Sequence, residues 1–122
     1  MQFYRSQIAV GRIDITTSAT SYVTSSDYRL KENVETLSSG INRVKQLKPK
    51  RFSWIIDEED NANVDGFLAH EVSSIVPEAI TGEKDAVDSD GNALYQQIDQ
   101  AKLVPLLVKT IQELEARIET LE

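Results

Sequence analysis

A chain of 122 residues, of which 40% are hydrophobic, is long enough for one modest domain and too short for two ordinary ones. Its formal net charge of −7 argues against a nucleic-acid-binding module, because phosphate contacts require Lys and Arg clustered on one face, and the nearest basic run, residues 45–51, is short and interrupted by Pro49. The absence of cysteine excludes a disulfide framework and any thiolate nucleophile or metal ligand.

No apolar run in the sequence approaches the roughly 20 residues that a membrane-spanning helix needs. Residues 1–10 also lack the apolar core of a signal peptide, since polar side chains interrupt them. Met1 stands directly in front of a strand-like sequence, and we therefore expect the chain to be the C-terminal part of a longer protein.

The first part of the chain has a strand pattern followed by a hydroxyl-rich segment. Residues 7–15, QIAVGRIDI, alternate apolar and polar positions with a shift at Gly11, which predicts a strand with a β-bulge. Residues 16–26, TTSATSYVTSS, carry β-branched side chains that disfavour a helix. We predict an extended linker there, and with it a domain boundary.

The middle of the chain predicts short helices and strands in alternation. Ser38 is placed to cap a helix that ends before Pro49 and carries Ile41, Val44 and Leu47 on one face. The other predicted elements are, in chain order, a strand over 51–56, an acidic turn over 57–63, a strand over 66–70, a helix over 71–76 stopped by Pro77, a turn at Asp90 and Gly91, and a strand over 93–98.

The last segment predicts a long helix with Asp99 as its N-cap, running to Glu122 over about 34 Å. Because proline is tolerated only in a first helical turn, Pro105 predicts that the regular helix begins nearer Leu103. Apolar residues in this helix recur at alternating spacings of three and four, the period of a coiled-coil seam. They are Val104, Leu107, Ile111, Leu114, Ile118 and Leu121.

Such a stripe has two interpretations, packing on its own domain or association with other chains. The stripe is narrow and the preceding segment offers few large apolar partners, so we predict self-association. The heptad register puts Arg117 at position g and Glu122 at the following e, a favourable pairing between chains. Taken alone, β-branched residues at heptad position a with Leu at position d favour a coiled coil of two helices.

Residues 26–34, SDYRLKENV, contain a serine and a lysine that could form a nucleophile and its base. A serine hydroxyl needs a neighbouring base to attack, and the chain has one histidine, so Lys31 is the alternative base for Ser26. A lysine accepts a proton only when neutral, which requires burial or cationic neighbours, and Glu32 would oppose this if it faced Lys31. Positions five apart lie on opposite faces of a straight strand, so the backbone must bend between them.

Three segments in order carry a family resemblance: SDYRLKENV, GFLAHEV at residues 66–72, and LVPLLVKTIQELEARI at residues 103–118. Together they resemble the intramolecular chaperone domain of phage endosialidase tail spikes, which is similar to domains of other phage fibres and of a eukaryotic membrane-tethered transcription factor. The resemblance covers residues 26–122.

The resemblance implies an α+β fold: a small mixed domain with a long C-terminal helix that forms a trimeric coiled-coil bundle, preceded by a β-rich end of the fibre. Residues 1–25 would then be the fibre end, and residues 26–122 the chaperone and auto-processing domain, with the coiled-coil helix over 99–122. The resemblance also implies a homotrimer, formed through the C-terminal helix, whose folding client is the preceding β-rich segment. It implies no binding of nucleic acid, of a membrane or of a cofactor.

In function, the resemblance implies a chaperone that helps the fibre fold and then releases itself by cutting between Ser25 and Ser26. Ser26 would be the nucleophile and Lys31 the general base of a single-turnover serine endopeptidase. Cleavage would occur in the host cytoplasm during virion assembly, after which the fibre remains in the virion tail and the chaperone is released.

The other polar residues have structural interpretations. Asp27 and Arg29 are expected to form an exposed ion pair, while Glu32 and Asn33 are secondary candidates for orienting Lys31 or donating to an oxyanion. One histidine, His70, and scattered carboxylates do not make a metal site. The acidic stretches over 57–60 and 85–90 lack the pattern of a Ca²⁺ loop and are predicted to be solvated turns. Trp54 and Phe67 are predicted core residues. Alternatively, an exposed aromatic side chain could bind the unfolded fibre.

Three other functions remain open from the sequence. One is a trimerisation cap that never cleaves, and another is an enzyme that cleaves other proteins, for which no substrate cleft is implied. The third alternative is self-cleavage by the same Ser-Lys chemistry in the equivalent domain of a membrane-tethered transcription factor.

Overall fold

The computed structural model describes residues 1–57, 59 and 62–122, and these form two compact units, residues 1–36 and residues 37–122. Glu58 and Asp60, in the acidic stretch over 57–60, lie outside the described residues. Among the described residues, no helix has both the length and the apolar character that crossing a membrane requires.

The first unit contains an antiparallel sheet of three strands in the order β1-β2-β3. Its strands are β1 Gln2–Arg5, β2 Ile8–Ile15 and β3 Thr20–Thr24. Phe3 lies opposite Gly11 whereas Tyr4 lies opposite Ala9, so the ladder shifts at Val10. The β-bulge predicted at Gly11 is therefore present beside it.

The prediction of an extended linker over residues 16–26 was wrong for its central part, because Thr20–Thr24 form the strand β3. β-Branched residues that disfavour a helix favour a strand equally well, and β2 offers an edge for pairing along five residue pairs from Gly11–Thr24 to Ile15–Thr20. The turn before β3 is closed by Thr16, whose hydroxyl accepts hydrogen bonds from the backbone N–H groups of Ser18 at 3.2 Å and Ala19 at 3.0 Å.

The side chains of the first unit are exposed or half-buried throughout residues 1–36. Its apolar residues share this exposure, with Phe3 48% and Tyr22 81% exposed. A sheet of this size normally needs an apolar face packed against something else to be stable. The unit therefore has no hydrophobic core of its own.

The second unit is a small mixed α+β domain, as predicted. Its strands pair antiparallel, β4 with β5 and β6 with β7. The elements are α1 Gly40–Val44, β4 Lys50–Phe52, β5 Val64–Gly66, α2 Ala69–Val72, a 3₁₀ turn Pro77–Ala79, β6 Ile80–Thr81, β7 Gln97–Ile98, a 3₁₀ turn Gln100–Leu103 and α3 Val104–Leu121.

A small hydrophobic core holds this unit together. Leu103 and Leu106, at the start of the C-terminal helix, pack against the segment around α2. The buried core residues are Val72, Val76, Ala79, Leu103 and Leu106, with Leu47, Phe67, Ile75, Ile80 and Ile98 packed on them.

The start of the C-terminal helix confirms both sequence predictions. Asp99 is the N-cap, and its carboxylate accepts a hydrogen bond of 3.1 Å from the backbone N–H of Ala101. The first four helical residues are 3₁₀, and the α-helix begins at Val104, which leaves Pro105 in the first turn, where its missing N–H costs nothing.

The predicted strands were too long in three places. The strand over 51–56 ends at Phe52, because the next residues form a turn in which Asp57 N–H donates to the carbonyl of Trp54 at 3.1 Å. The strand over 66–70 is only the end of β5, and His70 is in α2. Of the strand over 93–98, the last two residues form β7. The turn predicted at Asp90 and Gly91 is present, with Gly91 at φ 82°.

The N-terminus of α1 is capped by a distant residue and not, as predicted, by Ser38. The N-cap position is Ser39, at φ 59° and without a side-chain capping bond. Glu113 of α3 takes this role, since its two carboxylate oxygens accept the N–H groups of Gly40 at 2.9 Å and Ile41 at 2.8 Å. Gly40 permits the approach, because a Cβ there would lie 2.8 Å from the backbone nitrogen of Thr110.

This contact predicts a pH dependence of stability. The backbone N–H groups of Ile41 and Gly40 lower the pKa of Glu113. A carboxyl group whose pKa is lower in the folded than in the unfolded state stabilises the fold when it is ionised. The full contribution is present above the unfolded-state pKa, about 4.3, and is lost as the pH falls through the lower folded-state pKa. We expect Glu113→Gln to reduce the free energy of unfolding at neutral pH. It should also remove this part of the decrease in the free energy of unfolding at low pH, in denaturation curves measured between pH 2 and 7.

Ser38→Ala is the matched control, because none of the hydrogen bonds among the described residues comes from the Ser38 side chain to α1. We expect it to change the free energy of unfolding by less than about 0.5 kcal/mol. A loss of stability in Ser38→Ala equal to that in Glu113→Gln would contradict the assignment of the cap to Glu113.

The helix α3 has two faces with different surroundings. Leu106 and Thr110 are buried against the rest of the unit, and Glu113 is half-buried on the same face. The stripe predicted as a coiled-coil seam lies on the other face and is exposed in the single chain. Its members are Val104, Leu107, Ile111, Leu114, Ile118 and Leu121, each 43% exposed or more.

Candidate functional site

The backbone bends between Ser26 and Lys31, as the proposed chemistry required. A 3₁₀ turn, Tyr28–Leu30, follows an extended residue, Asp27, and Lys31 is extended again at φ −120° and ψ 148°. Two backbone hydrogen bonds close the turn, from Leu30 N–H to the Asp27 carbonyl at 3.0 Å and from Lys31 N–H to the Tyr28 carbonyl at 3.1 Å. The turn replaces the straight strand that would separate the two side chains.

This bend brings the two predicted catalytic side chains into contact. Lys31 Nζ donates a hydrogen bond to Ser26 Oγ at 2.8 Å. That separation is within the range over which a base can take the hydroxyl proton of a nucleophile. Both residues are exposed in the single chain, so the burial that would favour a neutral Lys31 is not supplied by this chain alone.

Asp27 and Arg29 form the expected exposed ion pair. Arg29 Nε donates to Asp27 Oδ1 and Arg29 Nη2 to Asp27 Oδ2, both at 2.9 Å. The backbone N–H of Arg29 donates to the same Oδ1 at 2.9 Å, so Asp27 is also the N-cap of the 3₁₀ turn. The pKa of Asp27 is lowered by the Arg29 side chain first and by the Arg29 backbone N–H second.

Ser25, on the other side of the predicted cleavage site, is held by the sheet. Its backbone N–H donates to the carbonyl of Val10 at 3.0 Å and its hydroxyl to the carbonyl of Ala9 at 3.2 Å. A cavity of about 90 Å³ lies beside it, with Arg12 and Thr24 among its lining residues. The residue that would supply the attacked carbonyl therefore has a fixed backbone and open space next to it.

The two secondary candidates near Lys31 form no hydrogen bond with it among the described residues. Within the part of the chain that the structure describes, Glu32 forms neither a hydrogen bond nor an ion pair with Lys31. Asn33 adopts φ 52°, a left-handed conformation that asparagine tolerates better than most residues. The opposing charge considered for Lys31 thus forms no ion pair with it among the described residues.

The aromatic residues singled out in the sequence have different environments. Phe67 is half-buried against the core, as predicted. The prediction that Trp54 is a core residue was wrong. Its side chain is 57% exposed and packs edge-to-face on Phe52 with ring centroids 5.2 Å apart. The strand β4 ends at Phe52, and Trp54 lies in the turn that follows it.

His70 and the second acidic stretch are surface features. His70 is exposed in α2. In the second stretch, the Asp88 carboxylate accepts the backbone N–H groups of Asn92 and Asp90, both at 2.9 Å, and these hydrogen bonds lower the pKa of Asp88. The described residues contain no cluster of His, Asp and Glu that could hold a metal ion.

Sequence reasoning missed Glu113, the residue that joins α1 to α3. The sequence contains no local signal for this contact, since Glu113 is more than 70 positions from its partners and has the neighbours of an ordinary exposed helical residue.

A family model described as chaperone of endosialidase, and named Peptidase S74, matches residues 26–81. The match begins at Ser26 and includes the first two of the three segments that carry the resemblance, SDYRLKENV and GFLAHEV. No curated protein matches the sequence significantly. The resemblance recognised from the sequence motifs is confirmed over residues 26–81, which match the model of the chaperone-of-endosialidase family.

Proposed function

We propose that this chain is the intramolecular chaperone of a trimeric phage tail fibre or tail spike, and that it releases itself by cutting its own backbone between Ser25 and Ser26. Residues 1–25 are then the end of the fibre and residues 26–122 the chaperone. The observation that carries the proposal is the 2.8 Å contact between Lys31 Nζ and Ser26 Oγ, in a segment where the family match begins.

The chemistry is an attack of Ser26 Oγ on the carbonyl carbon of Ser25. Neutral Lys31 takes the hydroxyl proton as the new C–O bond forms, and a tetrahedral oxyanion results. The C–N bond between Ser25 and Ser26 then breaks, and its nitrogen receives the proton from Lys31, which leaves an ester. Water hydrolyses the ester, giving a carboxylate at Ser25 and a free amine and hydroxyl at Ser26.

Position explains how so small a site can act. The attacked bond is adjacent to the nucleophile, and the backbone of Ser25 is fixed by its hydrogen bond to Val10, so the reaction needs no binding of a separate substrate. Each chain reacts once, because the product no longer contains the bond.

Assembly provides the missing condition, burial of Lys31. The exposed apolar stripe of α3 supports association through this helix, since a contiguous apolar surface of that kind on a single chain is normally covered in the working protein. We propose that the trimer excludes water around Lys31 and thereby favours its neutral form. Cleavage would then follow correct assembly, in the host cytoplasm, and leave the fibre in the virion tail.

The folding client would be the β-rich segment that ends at Ser25. Its sheet has exposed or half-buried side chains throughout and no core, which is the condition expected of a segment whose stability comes from association with further chains. A chaperone that first brings three chains into register would supply those neighbours.

The test is the mass of the chain after purification and assembly. We expect a product that begins at Ser26 and a complementary product that ends at Ser25, and only intact chain in Ser26→Ala. Ser25→Ala is the matched control, because it changes the adjacent hydroxyl and keeps the proposed nucleophile, so it should still cleave. An assembled wild-type chain that stays intact would refute the proposal.

A further inference from the structure

The 3₁₀ turn between Ser26 and Lys31 has few interactions to hold it. It contains three residues, Tyr28–Leu30, is exposed throughout, and has two closing backbone hydrogen bonds. Short 3₁₀ segments have poor hydrogen-bond geometry, and the first turn of any helix is entropically unfavourable. Without a further contact, the segment would spend time in extended conformations that separate the nucleophile from its base.

Asp27 provides that contact at the first position of the turn. Its Oδ1 accepts the backbone N–H of Arg29, and the same carboxylate accepts Nε and Nη2 of the Arg29 side chain, all at 2.9 Å. The middle residue of the turn is therefore fixed through both its main chain and its side chain. Asp27 itself touches neither Ser26 Oγ nor Lys31 Nζ among the described hydrogen bonds.

We propose that Asp27 is a positioning residue for self-cleavage, which keeps Lys31 within reach of Ser26 by capping the 3₁₀ turn. This inference rests on the proposed function. The backbone cap, and not the ion pair, is the effective contact, because an exposed ion pair gains little in water whereas an N-cap satisfies a donor that has no other partner in the turn.

The cap and the ion pair can be separated by mutation. Asp27→Asn keeps an oxygen that accepts the Arg29 N–H and removes the charge, whereas Asp27→Ala removes both contacts. Arg29→Ala keeps the backbone N–H and removes only the ion pair. We expect Asp27→Ala to cleave about tenfold more slowly than wild type, the size of effect that loss of a cap produces, and the other two variants to stay within about threefold.

The experiment measures the first-order rate of appearance of the product that begins at Ser26, in the assembled full-length chain. Asp27→Ala cleaving at the wild-type rate would overturn the inference. Arg29→Ala as slow as Asp27→Ala would overturn it too, because the ion pair would then be the effective contact. Failure of the proposed function has a different signature, since wild type itself would give no product.

A second readout does not depend on cleavage. In the full-length Ser26→Ala chain, hydrogen exchange of the Arg29 amide reports whether the cap is formed. We expect the Arg29 amide to be protected from exchange when residue 27 is Asp or is changed to Asn. In Asp27→Ala the same amide should exchange faster. Equal exchange in all three would overturn the inference even if the cleavage rates differed.

Discussion

Replacing Lys31 by Arg is expected to abolish self-cleavage although it preserves a positive charge and a hydrogen-bond donor at this position. Arginine stays protonated at any pH at which the protein is folded and cannot accept the proton of Ser26. General-base catalysis contributes about 10²- to 10⁴-fold to rates of this kind, so the loss should leave intact chain over the time in which wild type is fully cut. Lys31→Met should have the same effect.

The measurement is the fraction of cleaved chain against time on a denaturing gel, with assembly checked by native mass. Lys45→Met is the matched control, since Lys45 is an exposed lysine just after α1 and has no part in the site. Cleavage of Lys31→Arg at the wild-type rate would show that Lys31 acts by its charge and not as a base, and the assignment of general base would be wrong.

The second large effect is expected at two adjacent leucines of α3. Leu106 is 2% exposed and lies in the core, whereas Leu107 is 43% exposed and lies on the apolar stripe. Leu106→Ala should lower the free energy of unfolding of the chain by about 2–5 kcal/mol, through lost burial and the cavity that remains. Leu107→Ala should leave the fold of the single chain intact and weaken association.

Both variants make the same chemical change in the same helix, so differences in helix propensity cancel. The measurement is the denaturation midpoint at several protein concentrations, together with sedimentation. Leu106→Ala should lower the midpoint at every concentration, and Leu107→Ala should reduce its dependence on concentration. If Leu107→Ala has no effect on association, the stripe is not the surface through which the chains meet.

Local signals in the sequence predicted the features that depend on neighbouring residues. Asp99 caps its helix, and Pro105 lies in the first α-helical turn, because both effects act within one turn of backbone. The need for a bend between Ser26 and Lys31 also followed from spacing. Asp27 and Arg29, beside this bend, are only two positions apart, and the ion pair between them was expected.

Features that depend on distant partners could not be predicted in the same way. Residues 16–26 have the composition of a strand or of an extended linker, and only pairing with β2 decides between them. The cap of α1 was assigned to Ser38 because serine is a common N-cap, but the acceptor is Glu113, from the other end of the domain. The exposure of Trp54 follows from the turn after β4, for which the apolar run RFSWII gave no signal.

The two faces of α3 have a practical consequence for engineering. Consecutive residues such as Leu106 and Leu107 point about 100° apart around the helix, so the buried face and the exposed stripe share no side chain. If the chains associate through the stripe as proposed, its residues can be redesigned to specify a pair, a hetero-trimer or a single chain while the core and the contact between Glu113 and α1 stay unchanged. Such variants would make the domain an oligomerisation module in which the number of associated chains can be changed without changing the stability of each chain.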